Sequence, residues 1–270
     1  MTTRWPYDTS EPRITPQAII DVVCERNGVT PADIALPPTL LGTFQHRAEE
    51  RLRVRTAAVP PAIVQSRPGL ALGMTNSGKT LCGRTPRTGA EVAVATFPIG
   101  APATAMFLEF AIARGVRNLL ICGSAGSLRP DLPIGRTVVV DRAEREDGTS
   151  HHYLPAEDIV AADPELTTKL EGASRAIGAH PVRGRSWTID APFRETVDAI
   201  ARHQANGVSV VDMEAAAIFA VARVRGIRAA IVVAVSDEVF RPWAPGFTSP
   251  AFHEGLDNAV DAVIAVAEDL

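Results

Sequence analysis

The chain reads as a single α/β domain, an α/β/α sandwich with a central mixed, mostly parallel sheet. Three observations predict this. Short apolar runs alternate with helical patterns from about residue 95 to the end. Several of those runs are continuously apolar, as strands covered by helices on both faces must be. Proline at helix starts and glycine at helix ends punctuate the alternation.

The elements come in order along the chain. Residues 1–14 are rich in Pro, Thr and charge and read as a loose arm, leaving 15–270 as the folded domain. Thr15-Pro16 supplies an N-cap and a first-turn proline for a helix to about Glu25, stopping near Gly28. After Pro37-Pro38 come a short apolar piece at 39–41, Gly42 and a charged helical stretch at 45–55. Residues 70–97 are β-like. Pro102 and Gly115 bracket a helix with Met106, Phe107, Phe110 and Ala113 at helical spacing. A strand at 118–122 ends in Gly123-Ser124-Ala125-Gly126, another spans 137–140, and Asp163-Pro164-Glu165 opens a further helix. A strand at 208–211, a helix at 213–225 closed by Gly226, a strand at 231–235 and a helix from about Pro250 complete the chain. No internal repeat or low-complexity block interrupts it.

Composition excludes several function classes. Of 270 residues, 46% are apolar and 21% charged, the balance of a globular domain. The net charge of −4 gives no global attraction to nucleic acid or acidic membranes. Cys24, Cys82 and Cys122 are odd in number and scattered, which predicts reduced thiols and neither a disulfide framework nor a zinc site. With no signal-like N-terminus and no membrane-length apolar run, the expected setting is the cytoplasm.

One motif is a decoy. Residues 73–80 match the phosphate-cradling GxxxxGK[ST] pattern, but that loop needs a helix directly after it. Gly83 and Pro86 fall where its first two turns would be. Asn76 to Lys79 reads better as a tight turn between two short strands.

Ligands of open α/β sheets bind beyond the carboxyl ends of strands. Three such ends carry polar groups. Gly123 to Gly126 would let a backbone approach a ligand closely, with Ser124 offering a hydroxyl; an ordinary glycine turn would look the same. Asp212 is a candidate N-cap for the apolar helix after it. Glu214 then lies in a first turn flanked by alanines, poorly hydrated and in need of donors. Paired sugar hydroxyls would supply them, as would a nearby arginine. Ser236-Asp237-Glu238 comes after an apolar strand, where a carboxyl can act as a proton donor or merely cap the chain.

Together these segments resemble the nucleoside phosphorylase and nucleosidase superfamily. The resemblance runs from about Ala95 to Glu238 on residues 97–102, 122–126, 147–153, 212–216 and 235–237. The stretch 147–153 is most like the uridine phosphorylase branch, and Ser236-Asp237 like the purine branches. The resemblance implies a homo-oligomeric enzyme that cleaves the bond between ribose and a base, with inorganic phosphate as co-substrate and no cofactor or metal. It implies Met213 and Glu214 as sugar ligands and Asp237 as the acid that protonates a purine. It also implies Gly123 and Ser124 as phosphate donors, and Ala125, Gly126, Phe193, Arg194 and Glu195 on the base side. His152 matches a loop histidine of the uridine branch. Gly42 and Arg47 are similar to a glycine–arginine phosphate contact, one residue too widely spaced, with His46 where the arginine would fall.

There is one departure. The family's arginine two residues before the first glycine of this segment is Ile121 here. Either another arginine (Arg47, Arg84, Arg87 or one from a neighbouring subunit) holds phosphate, or the nucleophile is water. The expectation is phosphorolysis, with hydrolysis as the alternative.

Overall fold

The computed structural model describes residues 7–66, 80–157 and 159–270. The first helix, α1 (Pro16–Asn27), is capped by Thr15, whose side chain accepts from the Ala18 amide, and ends at Gly28 with φ 59°. Next come β1 (Thr39–Thr43), α2 (His46–Arg55), α3 (Ala62–Ser66), β2 (Leu81–Arg84), β3 (Glu91–Thr96) and α4 (Ala101–Ala113). The middle of the chain gives β4 (Asn118–Ser127), β5 (Thr137–Glu146), α5 (Ser150–Tyr153), β6 (Ile159–Ala161), α6 (Pro164–Ala176) and β7 (Val182–Ile189). The last elements are α7 (Val197–Ala205), β8 (Val210–Asp212), α8 (Ala215–Arg225), β9 (Arg228–Glu238), β10 (Ala244–Pro245) and α9 (Pro250–Ala267). Residues 73–79 of the phosphate-loop pattern and the expected turn lie outside the described residues. Directly after Thr80 the chain enters the strand β2, where that pattern would need a helix.

The expected α/β architecture is present. Its ten-stranded mixed sheet runs β10-β9-β5-β7-β8-β4-β1-β3-β2, with β6 on β5. A further ladder joins β9 to β4, so β4, β9, β5, β7 and β8 close into a ring, with β1, β3 and β2 extending from β4. The central ladders β3–β1–β4–β9 are parallel.

Alternation along each strand sorts the core into two layers. In β4 and β9, Leu119, Ile121, Ile231, Val233 and Val235 face the layer that contains α4 and α8. Leu120, Cys122, Ala230, Val232 and Ala234 face the layer built with α2, α6 and α9. Helix α8 buries every residue from Ala215 to Ala222, and its run of alanines suits a helix apolar on all sides.

The Gly123–Gly126 segment corrects the expected glycine turn. It continues β4 as far as Ser127, with an irregularity between Ala125 and Gly126. Space is tight at Gly126, where a Cβ would sit 3.0 Å from Val211 Cγ1, while one on Gly123 would make only ordinary contact with Phe44 at 3.5 Å.

At Gly42 the space is closed altogether. A Cβ there would lie 2.4 Å from Ile121 Cδ1 and 2.6 Å from Phe97 Cε2, both buried. Gly42→Ala is expected to cost about 1–3 kcal/mol through overpacking. Thermal denaturation should show a lower midpoint, and a smaller loss in an Ile121→Val background.

Candidate active site

The site is assembled where β4, β8 and β9 meet. Gly126 pairs with Val211 on one side and with Asp237 on the other, so the ends of β8 and β9 lie abreast. Asp212 closes β8, and its carboxylate accepts from Ser186 Oγ (2.5 Å), Thr188 Oγ1 (2.8 Å) and the amides of Glu214 (2.9 Å) and Ala215 (3.0 Å). Asp212 thus bonds the first amides from two residues outside the helix, and the N-cap expected at Asp212 falls at Glu214. The helix begins at Ala215, later than the expected 213, because these bonds hold residues 213 and 214 outside it and leave Glu214 as the boundary residue.

Glu214 is 8% exposed. Its Oε1 accepts from the Gly100 amide at 2.7 Å. Gly100, with φ 96° in a region side chains rarely adopt, turns the chain into α4 over this carboxyl. Among the described residues no arginine pairs with Glu214, whereas Glu109 takes three bonds from Arg225. Burial, then the charge of Asp212, pushes Glu214 up to about 8, against the pull of the Gly100 and Met213 amides. Met213 is partly exposed beside it.

Asp237, at the end of β9, is bonded at both oxygens: Ser236 Oγ lies 2.7 Å from Oδ1, and Trp243 Nε1 donates to Oδ2 at 2.9 Å. Burial and secondarily the Asp237 charge push Glu195 up to about 7. The other residues expected on the base side are not gathered as closely. Gly126 lies opposite Asp237 and Ala125 opposite Val235 inside the sheet, while Phe193 is fully exposed and Arg194 exposed on a short turn.

Ser124 receives a bond from Gln45 Nε2 at 2.8 Å, and the Gln45 amide donates to Thr43 Oγ1 at 3.1 Å. Gln45 precedes α2, and sequence reasoning has no hold on it, since an amide side chain in a polar stretch carries no signal. Gly123 and Gly42 lie on the strands beside it. Arg47 points elsewhere: its guanidinium makes two bonds to Asp257 of α9, at 3.1 and 2.7 Å. Arg84 is paired with Glu91, and Arg87 with Glu268 and Asp269. Ile121 is wholly buried in the core.

The 147–153 segment is organised by a buried cation. Arg145 donates to the carbonyls of Ser150, Leu154, Pro155 and Glu157. Asp147 takes the Ser150 amide and hydroxyl, and the Gly148 amide donates to Asp190 at 2.8 Å, tying this loop to the one before Glu195. His151 is buried and His152 exposed. Among the described residues no group of three or more His, Cys, Asp or Glu could hold a metal, and no helix is long and apolar enough to cross a membrane.

A buried carboxyl just beyond β8, an acid on β9 and neutral donors at β4 between them gather at one junction of an α/β fold. The chain belongs to the phosphorylase superfamily, whose model matches residues 48–270. It is 28% identical over 196 residues to uridine phosphorylase of Haemophilus influenzae, covering 67% of this chain and 77% of that one. It is 31% identical over 147 residues to guanosine phosphorylase of Halorubrum lacusprofundi, a match that spans 54% of this chain and 61% of that protein. The purine nucleoside phosphorylase of Toxoplasma gondii, solved with immucillin-H, shares the fold. It superposes with a TM-score of 0.76 at 18% identity, over 89% of this chain and 93% of that one.

Raised acids have a sign in stability. Glu214 stays protonated in the folded state up to about pH 8 but ionises near its ordinary value of 4.5 when unfolded. Its contribution is full below the lower value and is lost as pH rises through the upper. Glu214→Gln should therefore flatten the fall in melting temperature between about pH 5 and 8, measured by calorimetry.

Proposed function

We propose that the chain cleaves the N-glycosidic bond of a purine nucleoside by phosphorolysis, giving free base and ribose 1-phosphate. The observation that carries the reading is the buried Glu214 carboxyl, met by backbone amides and without an arginine partner among the described residues. Hydroxyls at the 2′ and 3′ positions would supply the donors that its burial removes. Their bonds favour the ionised form, and that charge, with Asp212 behind it, stabilises the positive sugar that develops as the bond lengthens. Met213 would pack against the ribose.

Asp237, with Glu195 close by, supports a purine base. A purine offers a basic ring nitrogen to a carboxylic acid, whereas N3 of uracil already carries hydrogen. Ala125, Gly126, Phe193 and Arg194 would complete that side. Gly123, Ser124 and Gln45, with Gly42 near them, would bind the phosphate through neutral donors. Arg47 would have to leave Asp257 to take part. The exposed Phe193 and Val197 beside the site support assembly as a homo-oligomer. The setting we infer is the cytoplasm.

The neutral donor set favours a second reading, in which water is the nucleophile. Nucleosides incubated with and without phosphate separate the two: ribose 1-phosphate formed only with phosphate is expected, and free ribose at equal rates in both would sink phosphorolysis. Gln45→Leu should raise KM for phosphate and leave KM for the nucleoside unchanged. Glu214→Ala is expected to lower kcat/KM roughly 10–100-fold, the worth of hydrogen bonds to a charged group. In the wild type kcat/KM should climb as pH approaches 8 and Glu214 ionises, a rise that Glu214→Gln abolishes.

A further inference from the structure

Trp243 lies six residues beyond Asp237, just before β10, which pairs back on β9 at Ala244↔Glu238 and Pro245↔Asp237. This hairpin returns the indole to the acid, where Nε1 sits 2.9 Å from Oδ2. The ring itself is 62% exposed and meets Phe247 at a centroid distance of 6.4 Å. A large aromatic left mostly in solvent, with its single polar atom turned onto a carboxylate, is placed by that hydrogen bond more than by packing.

The two donors on Asp237 are chemically unequal. An indole N–H can only donate, whereas a serine hydroxyl can donate or accept. Ser236 Oγ is 2.7 Å from Oδ1 and also 3.3 Å from the Ala125 carbonyl, so its hydrogen has a second acceptor to turn to. When Asp237 takes up a proton, Oδ2 stays the better acceptor for Trp243 and the proton is favoured on Oδ1.

We propose that Trp243 is a positioning residue for Asp237, resting on the purine phosphorolysis reading above. It fixes the carboxyl plane, leaves Oδ1 as the proton-bearing oxygen, and stabilises the carboxylate that remains after transfer. In the step itself the Oδ1 proton passes to N7 of the purine as the C1′–N9 bond breaks, its electron pair going to the base. A phosphate oxygen forms the new bond to C1′, and the proton released by monohydrogen phosphate restores Asp237.

The test compares guanosine with 7-methylguanosine, whose base is already alkylated at N7 and departs without being protonated. Trp243→Phe should lower kcat for guanosine roughly tenfold, about one charge-assisted hydrogen bond. It should leave kcat for 7-methylguanosine and KM for phosphate within about twofold. Asp237→Asn should show the same selectivity, Trp243→Phe should add nothing in that background, and Trp243→His, which offers a ring N–H, should recover part of the loss. Equal losses on both nucleosides, no loss on guanosine, or additive losses in the double variant would overturn the proposal. Failure of the wild type to cleave any purine nucleoside is a separate result, and it removes the parent reading along with this one.

Discussion

The structure depends on one close approach, at Gly126. There β4 is flanked by β8 and β9 at the same level, and a side chain would meet Val211 at 3.0 Å and the Asp237 carboxylate at 3.5 Å. A side chain there would push Val211 aside by a few tenths of an ångström, so glycine suits the junction where the ring closes. Closing it brings the ends of β8 and β9 to either side of β4, and these ends carry Asp212, Glu214 and Asp237. The helices on both faces bury the sheet, but the junction decides where polar groups can converge.

The carboxyls around this junction differ in how their charge is managed. Asp212 is met by two hydroxyls and two amides. Burial raises Asp212 against those donors, and Glu214, two residues on, is pushed toward its neutral form by burial and by Asp212 itself. Glu195 stands in a similar relation to Asp237. Glu214 and Glu195 are both held back from ionising by burial and by a neighbouring acid, so a ligand that brings donors has most to offer them.

Much of the fold is legible from local signals. Thr15, Pro16 and Gly28 bound α1 as their chemistry requires, Asp163 caps α6, and the apolar runs at 118–122 and 231–235 are the cores of β4 and β9. Where sequence and structure part, the cause is tertiary. Gly123 to Gly126 reads as a turn because glycine usually punctuates, but here the segment continues β4 by pairing with β8 and β9. The start of α8 slips by two residues because Asp212 caps across the boundary. Of the site, Glu214 and Asp237 stand out as acids in apolar surroundings. Gln45, Gly100 and Trp243 do not, because their roles arise from contacts 79, 114 and 6 residues away, which no spacing pattern encodes.

The contact of Ile121 with Gly42 has a consequence for how this chain can change. The two positions are locked together: the isoleucine fills the space beside a glycine that cannot grow, against Phe97. A guanidinium at 121 would have to enter a dry layer with nothing to pair it, and making room would mean rebuilding β1. Any path by which the chain acquires a cation facing Ser124 therefore bypasses the sheet. It runs through the start of α2, where Gln45 already reaches that serine and His46 is largely in solvent, so substitutions there leave the core untouched.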